Sequence, residues 1–219
     1  MKEIPVSSRC KEILEKREHM LIGISPLNSY YSEEKITELI YWGHTSFKDF
    51  HILTADTLFQ NNFLAMGYSL DKAQKKTKHN WKRLYNKIVR VFLKLNISKE
   101  IYEKKIITLS GRLPENHVYD EIYSACLERY NQDPIFKQEC LIACKDFLVN
   151  YTDIISDAVL ENALKYLLGE LPFYLDTPKM LRLNSSLIAY HKAVPIFVDL
   201  YKDRKKNFVA NNQGHLILE

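Results

Sequence analysis

The spacing of its short apolar runs constrains this chain more than any other feature. MLIGI (20–24), DFHILTA (49–55), KKIITLS (104–110) and SSLIAYH (185–191) each have the length of a strand and turn-forming neighbours. Segments with helical periodicity separate them. EEKITELIYW (33–42) repeats its apolar residues every three or four positions, and Ser32 stands where an N-cap belongs. From 116 to 171 the pattern is almost wholly helical, interrupted near Asp133-Pro134 and Thr152-Asp153; Pro134 suits a first helical position after an Asp cap. VPIFVDLYKDRK (194–205) reads as a further helix. Buried strands alternating with helices predict an α/β fold with a mostly parallel sheet flanked by helices. Ligands of such sheets bind beyond the carboxyl ends of the strands. Ser25, just past the first run, is therefore placed for chemistry.

A chain of 219 residues that is 46% hydrophobic can bury one sizeable core, so a single domain over 1–219 is expected. Its 26% charged residues, six glycines and seven prolines exclude low complexity. No apolar run reaches the ~18 residues of a membrane span. The charged start, MKEIPVSSRCKEILEKREHM, lacks the apolar stretch of a secretory signal, so a cytoplasmic location is expected. Cys10, Cys126, Cys140 and Cys144 form no C-x-x-C and have no His pair to complete a zinc set, so they read as packed thiols. The terminal Leu218-Glu219 is assigned no structural weight. G-x-G-x-x-G, P-loop and H-E-x-x-H motifs are missing, and Leu27 stands where a G-x-S-x-G elbow needs glycine. Nucleotide-driven and zinc-driven chemistry have no support in these residues.

Positive charge is concentrated in one place. KAQKKTKHNWKRLYNKIVRVFLK (72–94) carries nine Lys or Arg and no acid, and the rest of the chain has five more acids than bases. In a helical projection Lys72, Lys76, Arg83, Lys87, Arg90 and Lys94 share one face. Trp81, Leu84, Ile88, Val91, Phe92 and Leu95 share the opposite face. A docked helix with a cationic stripe in solvent is expected. Like charges one turn apart repel, so a stripe of one sign points to a polyanionic partner, with phosphate backbone ahead of a membrane surface. An outward helix suits shape recognition of RNA better than base readout.

Three elements could carry chemistry, and each has a structural reading beside it. Ser25 could order the turn after its strand or act as a nucleophile; Gly23 would let a ligand approach, and Asn28 could cap the turn or offer an amide. In ALKYLLGELPFYL, Tyr166 and Glu170 lie four apart on one face, near a helix end set by Pro172. They could form a surface pair, or hold a substrate ammonium and relay a proton. Tyr190-His191 closes the fourth strand on the same carboxyl edge as Ser25.

In combination, GISPLNSYYS (23–32), YLLGELP (166–172), SSLIAYHK (185–192) and the basic helix resemble the cyclodipeptide synthases, in order and spacing along essentially the whole chain. The resemblance implies a Rossmann-like domain similar to the catalytic domain of class I tyrosyl- and tryptophanyl-tRNA synthetases. It implies two aminoacyl-tRNAs as substrates, joined into a cyclic dipeptide without ATP, metal or other cofactor, by a monomer. Carried over residue by residue, Ser25 would accept the first aminoacyl group, Tyr166 and Glu170 would hold its α-amino group, and Tyr190 would relay a proton. Gly23 and Asn28 would position the substrate. Leu21, Gly23, Phe173 and Ile188 would line the pocket for the first side chain, which their apolar character makes hydrophobic. The resemblance further implies an Asn/Tyr/Gln-type subfamily, matched by Asn28 and Tyr190, with His191 departing at the third position, where it could still hydrogen-bond or could alter the second-substrate pocket. A non-catalytic RNA-binding module is the alternative, needing the basic helix and nothing at Ser25.

Overall fold

A computed structural model of the chain describes residues 1–111, 113, 115–202 and 208–219. Six strands form one sheet: β1 (Glu3–Pro5), β2 (His19–Ile24), β3 (Asp49–Thr54), β4 (Ile106–Thr108), β5 (Ser186–Tyr190) and β6 (Gln213–Leu218). Their order is β1-β6-β5-β2-β3-β4, parallel except for β1 against β6. The helices are α1 (Ser8–Lys16), α2 (Glu33–Ser46), α3 (Gln60–Ala65), α4 (Leu70–Lys94), α5 (Lys99–Lys105), α6 (Asn116–Gln132), α7 (Pro134–Leu148), α8 (Asp157–Leu181) and α9 (Pro195–Lys202). The expected α/β architecture with a mostly parallel sheet is therefore observed. Residues 203–205 of the expected last helix lie outside the described residues.

The chain builds β2, β3 and β4 outward in one direction, then crosses back through α6, α7 and α8 to place β5 on the other side of β2. The sheet's topological switch thus falls between β2 and β5, where a parallel α/β sheet opens a crevice at its carboxyl edge. The register sets Leu21 beside Ile188 and Ile22 beside Ala189. Ser25 and Tyr190 consequently emerge side by side at the crevice.

Local chemistry fixes most helix starts. Ser32 caps α2 by accepting the Lys35 amide, and Asp133 caps α7 by accepting the amides of Ile135 and Phe136, with Pro134 at the first helical position. Pro172 does not end its helix as expected. It is buried within α8, which runs on to a break at Asp176, where φ is −158° and the Asp176 carboxylate accepts the Lys179 amide. The missing Pro172 N–H is tolerated because packing of the buried helix around it outweighs one lost backbone bond.

Two further expectations are corrected. Lys104 and Lys105 belong to the end of α5, so the third strand shrinks to Ile106–Thr108. Leu218 is buried in β6, and Glu219 exchanges backbone hydrogen bonds with Lys2 at 2.8 and 3.1 Å, so the terminal dipeptide helps close the β1–β6 edge. All four cysteines are buried and unbridged, with burial pushing the Cys126 and Cys144 thiols up to about 12. No described helix is long and apolar enough to cross a membrane.

Candidate functional site

Ser25 begins the loop after β2, and its Oγ lies 2.8 Å from the hydroxyl of Tyr190 at the end of β5. Burial pushes the Tyr190 phenol up to about 12, so it is neutral at ordinary pH and has a proton to share. The loop is tied down on both sides. Asn28 Oδ1 accepts the Tyr30 amide at 3.0 Å, and the Tyr31 hydroxyl donates to the Gly23 carbonyl at 2.7 Å. Leu27, at the loop tip, adopts left-handed backbone with φ of 60°, unfavourable for a residue with a side chain.

His191 completes this corner. Its Nε2 lies 2.7 Å from Asn28 Nδ2, its ring stacks on Tyr30 at 4.4 Å, and Tyr31 meets it edge-on at 5.4 Å. Burial lowers the His191 pKa to about 4, so at neutral pH Nε2 is free to accept the Asn28 N–H. The expected departure at this position therefore leaves no gap: histidine meets the asparagine directly.

Across the crevice, α8 supplies Tyr166 and Glu170. Both line the same cavity of about 500 Å³ as Ser25, Asn28, Tyr190 and His191. They come from the middle of the helix, since Pro172 does not terminate it. Two contacts hold α8 here. Gly169 lets the helix approach the 57–59 turn, where a Cβ would lie 2.4 Å from Leu58 Cδ2, and Tyr119 donates to the Gly169 carbonyl at 2.9 Å. Phe59 meets the Tyr166 ring edge-on at 5.6 Å. Burial raises the Glu170 pKa to about 7 and pushes the Tyr166 phenol well above its ordinary range. Among the described residues Glu170 has no hydrogen-bonding or ionic partner that offsets its burial, so it stands to gain from a cation entering the cavity.

A smaller recess at the base joins Gly23, Ser25, Tyr166, Glu170 and Ile188 to Leu53, Thr54, Ala55, Leu109 and Tyr174. Gly23 and Ile188 line this recess. Leu21 and Phe173 do not: Leu21 is buried two residues deeper on the same face of β2, and Phe173 packs near Tyr119. The sequence reading missed the contributions of β3 and of Leu109. Parallel register carries β3 to the same edge as β2, with Gly23 opposite Leu53 and Ile24 opposite Thr54, and that pairing was the available signal.

The basic helix α4 borders the site. A groove of about 440 Å³ runs from Ser25 and Asn28 to Asn80, Arg83, Lys87 and Arg90. Lys72, Lys76 and Arg83 are exposed, and Leu84, Ile88, Val91 and Phe92 are buried, as the projection predicted; Trp81 and Leu95 are half-buried. The lower part of the stripe is not free. Lys87 donates to the Tyr31 carbonyl at 2.8 Å, and Arg90 and Lys94 both engage Glu33 at the start of α2. Glu33 lies on another element, so no projection of α4 alone could reveal this neutralisation.

A family model described as cyclodipeptide synthase matches residues 1–219. A cyclo(L-leucyl-L-leucyl) synthase of Staphylococcus haemolyticus is 31% identical, covering 97% of this chain and 92% of that protein. Among solved structures, a cyclodipeptide synthase from Bacillus thermoamylovorans superposes with a TM-score of 0.89 at 30% identity, over 100% of this chain and 95% of that one. A Mycobacterium tuberculosis protein superposes with a TM-score of 0.85 at 27% identity, over 98% and 91% of the two chains. Its structure is reported as demonstrating that cyclodipeptide synthetases are related to type I tRNA-synthetases.

Proposed function

This chain belongs to the cyclodipeptide synthase family, and from that premise we propose that it joins the aminoacyl groups of two aminoacyl-tRNAs into a cyclic dipeptide through an acylated Ser25. The observation that carries the reading is the Ser25–Tyr190 hydrogen bond at the switch point, facing Glu170 across one cavity.

The substrate ester is already activated, so the protein has to position it and manage protons, with no need for ATP. The free α-ammonium of the first aminoacyl group sits against Glu170, whose carboxylate has lacked a counter-charge until then. Tyr166, a neutral phenol one helical turn away, orients the same amine. Ser25 Oγ then attacks the ester carbonyl. As the new C–O bond forms, the serine proton passes to the Tyr190 oxygen and the Tyr190 proton passes to the departing ribose oxygen, leaving Tyr190 neutral and the tRNA uncharged.

The amine of a second aminoacyl-tRNA attacks the aminoacyl-serine carbonyl; the amide forms as the Ser25 ester breaks, and the proton lost by the amine returns to Ser25 Oγ. Ser25 Oγ then attacks the dipeptidyl ester, releasing the second tRNA's ribose hydroxyl and leaving a dipeptidyl-serine. Attack of the dipeptide's own amine on its ester carbonyl closes the six-membered ring and releases the oxygen that carried it. Asn28 and His191 hold the loop that presents Ser25, and Gly23 keeps the floor open beneath it. An aliphatic first residue is our reading by likeness to the Staphylococcus haemolyticus relative, which is named for a leucyl product; the recess that Leu53, Ala55, Leu109 and Ile188 share with Tyr166 and Glu170 holds only about 10 Å³ and would have to widen to admit such a side chain.

The test is incubation of the purified protein with a pool of aminoacyl-tRNAs, without ATP, followed by mass spectrometry of small products. A diketopiperazine that requires charged tRNA supports the reading. Tight tRNA binding with no such product would leave a non-catalytic module.

A further inference from the structure

Asn62 is a polar side chain that the steps above leave unused. It stands on α3, is only 1% exposed, and lines the same cavity as Ser25, Tyr166, Glu170 and Tyr190. Its side-chain amide makes no hydrogen bond among the described residues. Folding tolerates a buried, unpartnered amide poorly, because its lost contacts with water are not replaced. The other two asparagines of the cavity are engaged. Asn28 meets His191 at 2.7 Å and the Tyr30 amide at 3.0 Å, and Asn150 donates to the Asp146 carbonyl at 3.2 Å. Asn62 therefore keeps both its donors and its acceptor for a ligand.

One demand of the chemistry matches it. Attack on an ester carbonyl puts negative charge on the carbonyl oxygen, and a fixed N–H aimed at that oxygen lowers the barrier. The backbone N–H of the residue after a serine nucleophile often fills this role. Here that residue is Pro26, which has no N–H. Among side chains, Tyr190 is committed to the Ser25 proton and Tyr166 to the substrate amine. Asn62 approaches from the Tyr166 side: Phe59, one turn before it, meets the Tyr166 ring edge-on at 5.6 Å, and α3 packs on α8. In an α-amino ester the carbonyl carbon lies about 2.5 Å from the amine nitrogen. An ester whose amine rests on Tyr166 and Glu170 therefore has its carbonyl in the part of the cavity that Asn62 borders.

We infer that the Asn62 side-chain amide is the oxyanion donor for the first aminoacyl group, hydrogen-bonding its carbonyl oxygen as that oxygen gains negative charge. The inference rests on the acyl-serine reading above and adds the group that takes up the charge. Two successive attacks fall on this one carbonyl carbon, first by Ser25 Oγ and then by the amine of the second aminoacyl-tRNA, so one donor serves both. In each attack the new bond to carbon forms as the π electrons move onto oxygen. The Asn62 N–H stabilises that charge without giving up its proton. Collapse returns the electrons to the carbonyl as the leaving oxygen departs, the ribose oxygen in the first step and Ser25 Oγ in the second.

The variants are Asn62→Leu, which removes the amide at similar size, and Asn62→Asp, which keeps the shape and exchanges the donor for a carboxylate. Single-turnover acylation of Ser25 at saturating aminoacyl-tRNA is measured beside filter binding of tRNA and a thermal melt. Both variants should acylate roughly 10²–10³-fold more slowly than wild type and bind tRNA equally well. Asn62→Leu should melt no lower than wild type, because it removes an unpartnered polar group. Asn62→Asp should regain rate relative to wild type as pH falls, since a protonated carboxyl donates again. It also keeps the test open if Asn62→Leu does not fold. A wild-type acylation rate in either folded variant, or a loss confined to tRNA affinity, overturns the oxyanion role and leaves the acyl-serine reading intact. Absence of any acyl adduct on the wild-type protein overturns both.

Discussion

Ser25 directly follows β2, Tyr190 ends the neighbouring parallel strand β5, and their side-chain oxygens lie 2.8 Å apart at the point where the strand order reverses. The sheet itself sets this proximity. Removing the Tyr190 hydroxyl should slow acyl transfer and leave the fold in place. Tyr190→Phe keeps the ring contacts with Tyr31 and His191 and loses one proton-transfer partner, a role worth roughly 10²-fold or more in rate. Single-turnover acylation, measured beside a thermal melt, separates the two effects. A rate equal to wild type would remove Tyr190 from the relay.

Glu170 gives a pH signature of known sign. Burial raises its pKa to about 7 from an ordinary 4.5, so between these values the folded state holds a proton that the unfolded chain has released. Its contribution to stability is full below about pH 4.5 and is lost as pH rises through 7, on the order of 3 kcal/mol. Glu170→Gln should therefore be more stable than wild type at pH 8, by several degrees in Tm, and much less active. Melts at pH 5.5 and 8 check this. An active, destabilised Glu170→Gln protein would make the residue structural.

His19 and His51 have the opposite sign. His19 Nε2 lies 2.8 Å from His51 Nδ1, and His19 Nδ1 lies 2.8 Å from Ser186 Oγ, all near the amino ends of their strands and away from Ser25. Burial lowers the two pKa values to about 3 and about 4. The unfolded chain takes up protons near pH 6.5 that the folded chain refuses, so stability should fall as pH drops from 6.5 towards 4. His51→Gln should flatten that acid limb without changing turnover at pH 7.5. An unaltered acid limb in this variant would assign the loss to other groups.

The basic helix divides by function. Arg83 is exposed beside the cationic groove, so Arg83→Glu should weaken tRNA binding and flatten the log–log salt dependence by about one unit, with stability within roughly 0.5 kcal/mol of wild type. Lys87→Met should instead release the Tyr31 carbonyl and loosen the 25–31 loop, lowering turnover more than affinity. Filter binding and turnover across a salt series distinguish them. Equal effects on both readouts from both variants would mean that the stripe acts as one surface.

What the sequence disclosed depended on how local the signal was. The strands β2, β3, β4 and β5, the α2 cap at Ser32 and the long amphipathic α4 follow from periodicity within a single element, and all are observed, β4 in shortened form. β1 and β6 went unread. Glu3–Pro5 is too short to show alternation, and Leu216, Ile217 and Leu218 form an apolar run with no flanking pattern. Pro172 misled because local propensity opposes a helix that tertiary packing sustains. At the site, Ser25, Gly23, Asn28, Tyr166, Glu170, Tyr190, His191 and Ile188 line one continuous crevice, reachable from motif spacing. Thr54, Ala55 and Leu109 were hidden because only strand register brings them there. The engagement of Lys87, Arg90 and Lys94 was hidden because their partners, Tyr31 and Glu33, lie on other segments of the chain.

The central claim is that Ser25 carries the aminoacyl group, and intact-mass spectrometry of the protein tests it most directly. Wild-type protein mixed briefly with one aminoacyl-tRNA and quenched in acid should gain the mass of one aminoacyl residue, mapped by peptide digestion to the segment containing Ser25. Ser25→Ala, with an unchanged melt, should gain no mass and make no cyclic dipeptide. Cyclic product from the folded Ser25→Ala protein, or a wild-type adduct on any other residue, would contradict the account.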